Sequence, residues 1–283
     1  MRKLFLIIIL LGVFYFSWLA PRYTVPILMY HNIGDEKGGF FVSPENFAKQ
    51  MEYLKKNGYE VITLDELVGS IKDKKYSKRN KVVITFDDGY KDNFQYAYPV
   101  LRGFGYPATV FLISNLIGKK FTGEGKEFMN WDEVVAMSKD GISFGGHTKT
   151  HLYLGLMKNQ GDGSVFLGLD SRKIEPSPFI SKDEKVAFEE IAGSKKAIEE
   201  KIGMPVDYFC YPSGGFNNRV KELVEQAGYK GACTTNRGFA DFNQDVYELK
   251  RIKVTNADGN KPFSFWMKLS GYYNVLRKEK SPY

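Results

Sequence analysis

The sequence predicts an α/β fold, a (β/α) barrel of about seven parallel strands, and three observations carry that reading. Short apolar, β-branched runs alternate with stretches of helical period along most of the chain. The principal runs number about seven, which favours a closed barrel over an open sheet. With 283 residues and 43% hydrophobic content, the chain can fill one core as a catalytic domain of about 250 residues, a size barrels reach without subdivision.

Val25 to Tyr30 is the first strand. Pro44 to Asn57 follows as an amphipathic helix, with Ser43 as N-cap, Pro44 at the first helical position and Gly58 as the stop. Glu60-Val61-Ile62 reads as a strand, Leu64 to Ile71 as a helix and Lys72 to Lys81 as a charged loop. Val82 to Phe86 is the second principal strand, before a helix over Phe94 to Phe104. Ala108 to Ile113 is a strand, Trp131 to Lys139 a helix, Ile142 to Gly145 a strand and Lys185 to Ile202 a long helix. Val206 to Cys210, Gly231 to Thr234 and Leu249 to Val254 complete the strand set. Two segments fall outside the alternation. Phe121 to Asn130 is a Gly-containing loop, and Gly155 to Ile180, rich in Gly, Ser and Pro, is too long for a passive connection. The latter is read as a groove wall or lid, or else as a mobile insertion.

Met1-Arg2-Lys3 precedes an uncharged apolar run from Leu4 to Ala20, between a signal h-region and a full membrane span in length. The basic start fits a cytoplasmic N-terminus. Ser17-Trp18-Leu19-Ala20 puts leucine where a cleavage site wants a small residue. The expectation is therefore a signal-anchor over 1–20, or else a cleaved signal peptide, with 21–283 as an exported, extracytoplasmic catalytic domain held at the membrane or secreted. The net charge of +7 comes from Lys and Arg scattered among acids. That pattern argues against a nucleic-acid surface, and a monomer is expected. Cys210 and Cys233 each lie on strand-like segments, where buried free thiols are favoured over a strained bridge between neighbouring parallel strands.

The chain has three histidines. His147 and His151 form His-Thr-Lys-Thr-His, an offset that suits two ligands on one metal, and His31 sits in Leu28-Met29-Tyr30-His31-Asn32. Thr85-Phe86-Asp87-Asp88-Gly89 closes a strongly β-type run with two carboxylates. Alone, Asp-Asp-Gly is an ordinary turn and His-x-x-x-His a weak signal. Together, each closing a strand where α/β folds collect ligands, they supply ligands, a base and a further imidazole for metal-assisted hydrolysis.

Taken in this order, the two motifs resemble those of the polysaccharide deacetylases of the NodB-homology type, carbohydrate esterase family 4. The resemblance covers roughly Val25 to Thr255. It implies a distorted (β/α) barrel that uses one divalent metal, commonly zinc, to hydrolyse N-acetyl groups on N-acetylhexosamine polymers. Cobalt, nickel or iron would also suit such a site. Carried over, the pattern makes Asp88, His147 and His151 the metal ligands and Asp87 the general base. Tyr211-Pro212-Ser213-Gly214 matches a variant of the family's third motif, which assigns Tyr211 and Ser213 to the oxyanion or substrate. The arginine usual in that motif is missing, and Arg251 is the candidate to orient the base; a strand-end salt bridge is its other reading. No histidine follows His151, so the late histidine that serves many members as acid is missing as well. A subgroup that includes poly-β-1,6-N-acetylglucosamine deacetylases shares Met-Tyr-His and Tyr-Pro-x-Gly, and by that resemblance His31 is the proton donor.

Two other functions compete with a metal-dependent N-deacetylase of an envelope or matrix polysaccharide. A peptidoglycan amidase or peptidase is disfavoured because Thr148 stands where the zincin motif has glutamate. An inactive carbohydrate-binding barrel is disfavoured because both aspartates and all three histidines are present.

Overall fold

The computed structural model describes residues 2–14, 24–34, 40–75, 80–120, 127–155, 183–241, 243–259 and 261–270. Seven parallel strands close on themselves: β1 (Ile27–Tyr30), β2 (Lys81–Phe86), β3 (Thr109–Leu112), β4 (Ser143–Gly146), β5 (Tyr208–Cys210), β6 (Gly231–Arg237) and β7 (Leu249–Lys253). They follow chain order around the barrel. β1 closes it by pairing with β2 through Tyr30↔Phe86 and with β7 through Lys253↔Met29. The predicted barrel is present, and it is irregular. β4 and β5 share one register pair, Gly146↔Phe209, and a bulge shifts β6 against β7 between Cys233 and Arg237.

Strand alternation divides the core into two shells. Ile27, Val83, Phe111, Tyr208, Cys233 and Leu249 face inward and pack on Leu64, Leu67, Val68 and Ile71 of the helix Leu64–Lys72. Leu28, Ile84, Val110, Phe144 and Phe209 face outward against the covering helices. Each such buried side chain contributes roughly 1.5–3 kcal/mol by leaving water. Gly145 and Gly146 allow close approach on both faces of β4. A Cβ on Gly145 would lie 2.4 Å from the Phe111 ring, and one on Gly146 would lie 2.1 Å from the Tyr229 hydroxyl.

The helix Pro44–Lys56 starts as the sequence predicts, with the Ser43 hydroxyl accepting from the Asn46 amide. The stretch predicted as one helix over Phe94 to Phe104 opens with a wide π turn, Asn93–Ala97, before the α-helix Tyr98–Phe104. Pro99 has no amide hydrogen to continue the regular ladder. The helix Asn218–Gln226 lies outside the predicted elements, although Asn217 caps it and Val220, Leu223 and Val224 form its buried stripe. Pro26 divides the predicted first strand: Thr24–Val25 pairs antiparallel with Ala240–Asp241, outside the barrel ladder.

Cys210 and Cys233 are register partners and both are buried free thiols. The N-terminal segment forms the apolar helix Arg2–Phe14, with exposed Leu and Ile side chains. Among the described residues no helix is long and apolar enough to cross a membrane; 15–20, the rest of the apolar run, lies outside them. Nearly all of the predicted wall or lid after Gly155, and 121–126 of the shorter loop, also lie outside the described residues.

Candidate active site and metal centre

His31, Asp87, Asp88 and His147 all follow directly on the C-terminal ends of barrel strands, the end where such folds place their chemistry. Alternation makes the first choice of direction. Val83 and Thr85 face inward, so Asp87 does too; Gly145 faces inward, so His147 follows. By the same alternation Asp88 would turn away from the barrel axis. It does not, because its backbone is left-handed at φ 73°, followed by Gly89 at φ 82°. The reversal points the two carboxylates in different directions within one turn. Gly89 is also required by space, since a Cβ there would meet Leu112 Cδ2 at 2.6 Å.

Asp87 is held by Arg251. Nη1 donates to Oδ1 and Nη2 to Oδ2, each at 2.7 Å. The guanidinium is fully buried, and it also donates to the Thr234 carbonyl at 2.9 Å and to Thr85 Oγ1 at 3.2 Å. Burial raises the Asp87 pKa, but the charge and hydrogen bonds of Arg251 outweigh it and hold the carboxyl below its usual range. Asp87 is thus an anion with a fixed orientation. His31 Nε2 lies across from it, 3.8 Å from Oδ2, with its ring against Phe40. Burial lowers the His31 pKa, and the two aspartates only partly offset that.

Asp88, His147 and His151 form a second group whose donor atoms lie within 4.8 Å of one another. His147 Nδ1 donates to the Cys210 carbonyl at 2.7 Å, which fixes the tautomer and turns Nε2 toward Asp88 Oδ1 at 3.4 Å. His151 Nε2 lies 3.8 Å from the same oxygen. The His-Thr-Lys-Thr-His segment is a loop, and Thr148 and His151 are both left-handed, at φ 58° and 64°. Such backbone costs on the order of 1–3 kcal/mol per residue unless its surroundings enforce it. They do so here. Glu190, from the helix Glu184–Ile202, accepts the Lys149 and Thr150 amides at 2.9 Å each, and Thr148 Oγ1 accepts the Leu152 amide at 3.0 Å.

The donor set fits a divalent cation. Two imidazoles and one carboxylate leave coordination positions open, as catalytic sites require. Burial lowers the His147 pKa, yet bonding to Asp88 and the charge of Asp87 raise it overall, so positive charge is favoured at this point. His151 is pushed down to about 4, first by burial and then by His147, and is neutral at pH 7. A second triad, Asp87, His147 and Cys210, is also close-set. It is a poor metal site, because the Arg251 guanidinium bonds both Asp87 oxygens and Cys210 Sγ at 3.0 Å, and burial pushes the thiol pKa up.

Tyr211 requires a correction. Its hydroxyl donates to the Tyr247 carbonyl at 3.0 Å and its amide to the Cys233 carbonyl at 3.2 Å, so neither donor is open to an oxyanion. Its ring stacks on Phe216 in the outer shell. Ser213 keeps its candidacy. It sits left-handed at φ 51°, and the turn's own bonds run from Gly214 to Tyr211 and from Gly215 to Pro212, leaving the Ser213 amide out. Thr85, Cys210 and Glu190 support the site but escaped the sequence reading. Glu190 is 40 residues from Thr150 in sequence and belongs to no motif that could have marked it.

A parallel barrel whose strand ends gather a locked carboxylate, three donors set to hold a cation and a third imidazole defines the class as a hydrolytic barrel enzyme. The polysaccharide deacetylase family model matches residues 74–232. YxkH of Bacillus subtilis (strain 168), which carries the polysaccharide deacetylase name, is 32% identical over 231 residues, 82% of this chain and 71% of that protein. The chain belongs to the polysaccharide deacetylase family, and it is a deacetylase. The poly-beta-1,6-N-acetyl-D-glucosamine N-deacetylase of Staphylococcus aureus (strain MSSA476) is 24% identical over 217 residues, 77% of this chain and 69% of that one. The Streptococcus pyogenes deacetylase PplD shares the fold with a TM-score of 0.71 at 23% identity, over 87% of this chain and 98% of its own.

Proposed function

We propose that this protein is a metal-dependent de-N-acetylase of an N-acetylglucosamine-containing polysaccharide of the cell envelope or matrix, releasing acetate. One observation supports this above the rest: Asp87, locked by Arg251, lies within 4.8 Å of His147 in the Asp88, His147 and His151 donor group and 3.8 Å from His31. Asp88, His147 and His151 would hold the cation, with zinc the first candidate. When bound, the cation would polarise the acetamide carbonyl and acidify water. Asp87 takes the water proton as general base, while Arg251 fixes which oxygens are presented and keeps the carboxylate ionised. His31 gives a proton to the departing amine. Burial lowers its pKa, so its imidazolium is a readier proton donor than an exposed one. The Ser213 amide is the candidate donor to the oxyanion. The Staphylococcus relative's name supports poly-β-1,6-N-acetylglucosamine as the first substrate to test.

Single replacement of His147 or His151 by alanine is expected to strip the metal and leave the domain folded, as read by elemental analysis and circular dichroism. Full metal occupancy in both variants refutes this ligand set. Acetate release from poly-β-1,6-N-acetylglucosamine, peptidoglycan and chitin oligomers tests the activity itself.

The proposal places the catalytic domain outside the cell, tethered by an uncleaved 1–20. The apolar helix Arg2–Phe14, which opens on the basic residues Arg2 and Lys3, supports the tether. Mass spectrometry of protein recovered from membranes should find the N-terminal segment intact. A soluble form beginning near Pro21 would replace the tether with secretion.

A further inference from the structure

Half-buried lysines in this protein are generally neutralised. Lys221 reaches Asp245 at 2.9 Å, Lys195 reaches Glu199 at 2.9 Å and Lys91 reaches Glu127 at 2.6 Å; buried Lys268 reaches Asp258 at 2.6 Å. Lys253 breaks the pattern. It is half-buried, and none of the described residues offers it a carboxylate within ion-pair distance. The side-chain charges that act on it most are cations, Arg237 and Lys268, and together with burial they weaken its hold on its proton. A partly desolvated ammonium among like charges costs stability, and no carboxylate among the described residues offsets that cost.

Its position connects that cost to the active site. Leu249 and Arg251 face the barrel interior, so Lys253, two residues further along β7, faces the mouth on the same side. Its backbone pairs with Met29, two residues before His31. Lys253 Nζ lies 3.4 Å from the centroid of the Phe40 ring, and Phe40 lies 4.6 Å from the His31 ring. His31 Nε2 is in turn 3.8 Å from Asp87 Oδ2. A continuous row therefore runs from the buried base to Phe40, which is 43% exposed. The His31 end of this row is where the sugar amine departs, so Lys253 borders the glycan and not the acetyl group.

We propose that Lys253 is a specificity-determining residue that binds an anionic substituent, carboxylate or phosphate, on the glycan next to the acetamide being cleaved. The proposal rests on the de-N-acetylase reading above and adds the charge class of its substrate. An ammonium here also repels sugar units whose amine is already free, so the site selects neutral or acidic units over deacetylated ones.

The test measures acetate release from a soluble β-1,4-linked N-acetylglucosamine tetramer, whose C6 positions lie outside the linkage, from its C6-oxidised carboxylate form and from its C6-phosphorylated form, with the wild type, Lys253→Gln and Lys253→Arg. The wild type should favour at least one charged tetramer by about tenfold, chiefly through KM, and added salt should shrink that preference. Whichever acid is favoured identifies the substituent. Lys253→Gln should lose the preference and Lys253→Arg should keep most of it. Because the ratio is taken within each protein, a partly unfolded variant does not distort it. Acetate release without charge preference, or a preference that survives Lys253→Gln, overturns this inference and leaves the deacetylase reading in place. Acetate from poly-β-1,6-N-acetylglucosamine but from none of the three tetramers overturns this inference alone, and acetate from none of the four overturns both.

Discussion

Asp87→Asn is expected to lower kcat for acetate release by about 10²–10⁴-fold, since an amide cannot take the proton that a carboxylate base accepts. Metal content should persist, because the Asp88, His147 and His151 donors are untouched. The structure adds a second effect. Asp87 neutralises the fully buried Arg251 through two bonds of 2.7 Å, and asparagine leaves that guanidinium uncompensated. Removing one partner of a buried pair typically costs about 3–5 kcal/mol. A domain of ordinary stability, on the order of 5–15 kcal/mol, stays folded but unfolds at lower denaturant. Joining Arg251→Met to Asp87→Asn should recover part of the stability and none of the turnover, which separates the base role from the structural one. Near-normal acetate release by Asp87→Asn would place the base elsewhere.

His31→Ala should lower kcat on an N-acetylated glycan by about 10²-fold or more while metal content and fold are unchanged. An amine is a poor leaving group unless it is protonated as the C–N bond breaks, and among the three histidines only His31 stands outside the candidate cation site. The loss should be much smaller for an activated acetyl ester such as 4-nitrophenyl acetate, whose leaving group needs no proton. Equal losses on both substrates, or loss of metal, would make His31 a structural or ligand residue. The contact with Phe40 sharpens the experiment. Removing the imidazole also frees that ring, so circular dichroism and metal analysis should accompany the kinetics.

The sequence by itself determined the local terms of this enzyme. Period-2 alternation put Thr85, Asp87 and His147 on the inner face of their strands, and the same rule, applied strictly from Tyr208, would have turned Tyr211 outward. The motif order identified the family, and Asp-Asp-Gly announced a turn. A turn can be read from composition, but only the fold shows that its second aspartate is left-handed and that Leu112 leaves no room for a Cβ on Gly89. Tertiary structure decided the rest. Arg251 is 164 residues from Asp87 in sequence and meets it across the barrel interior. Glu190 approaches the histidine loop only because its helix packs beside β4, and Phe40 links His31 to Lys253 only because β1 pairs with β7. Alternation and turn chemistry are set by neighbours along the chain. Charge pairing and desolvation depend on which distant strands closure brings together, and no short stretch of sequence encodes that.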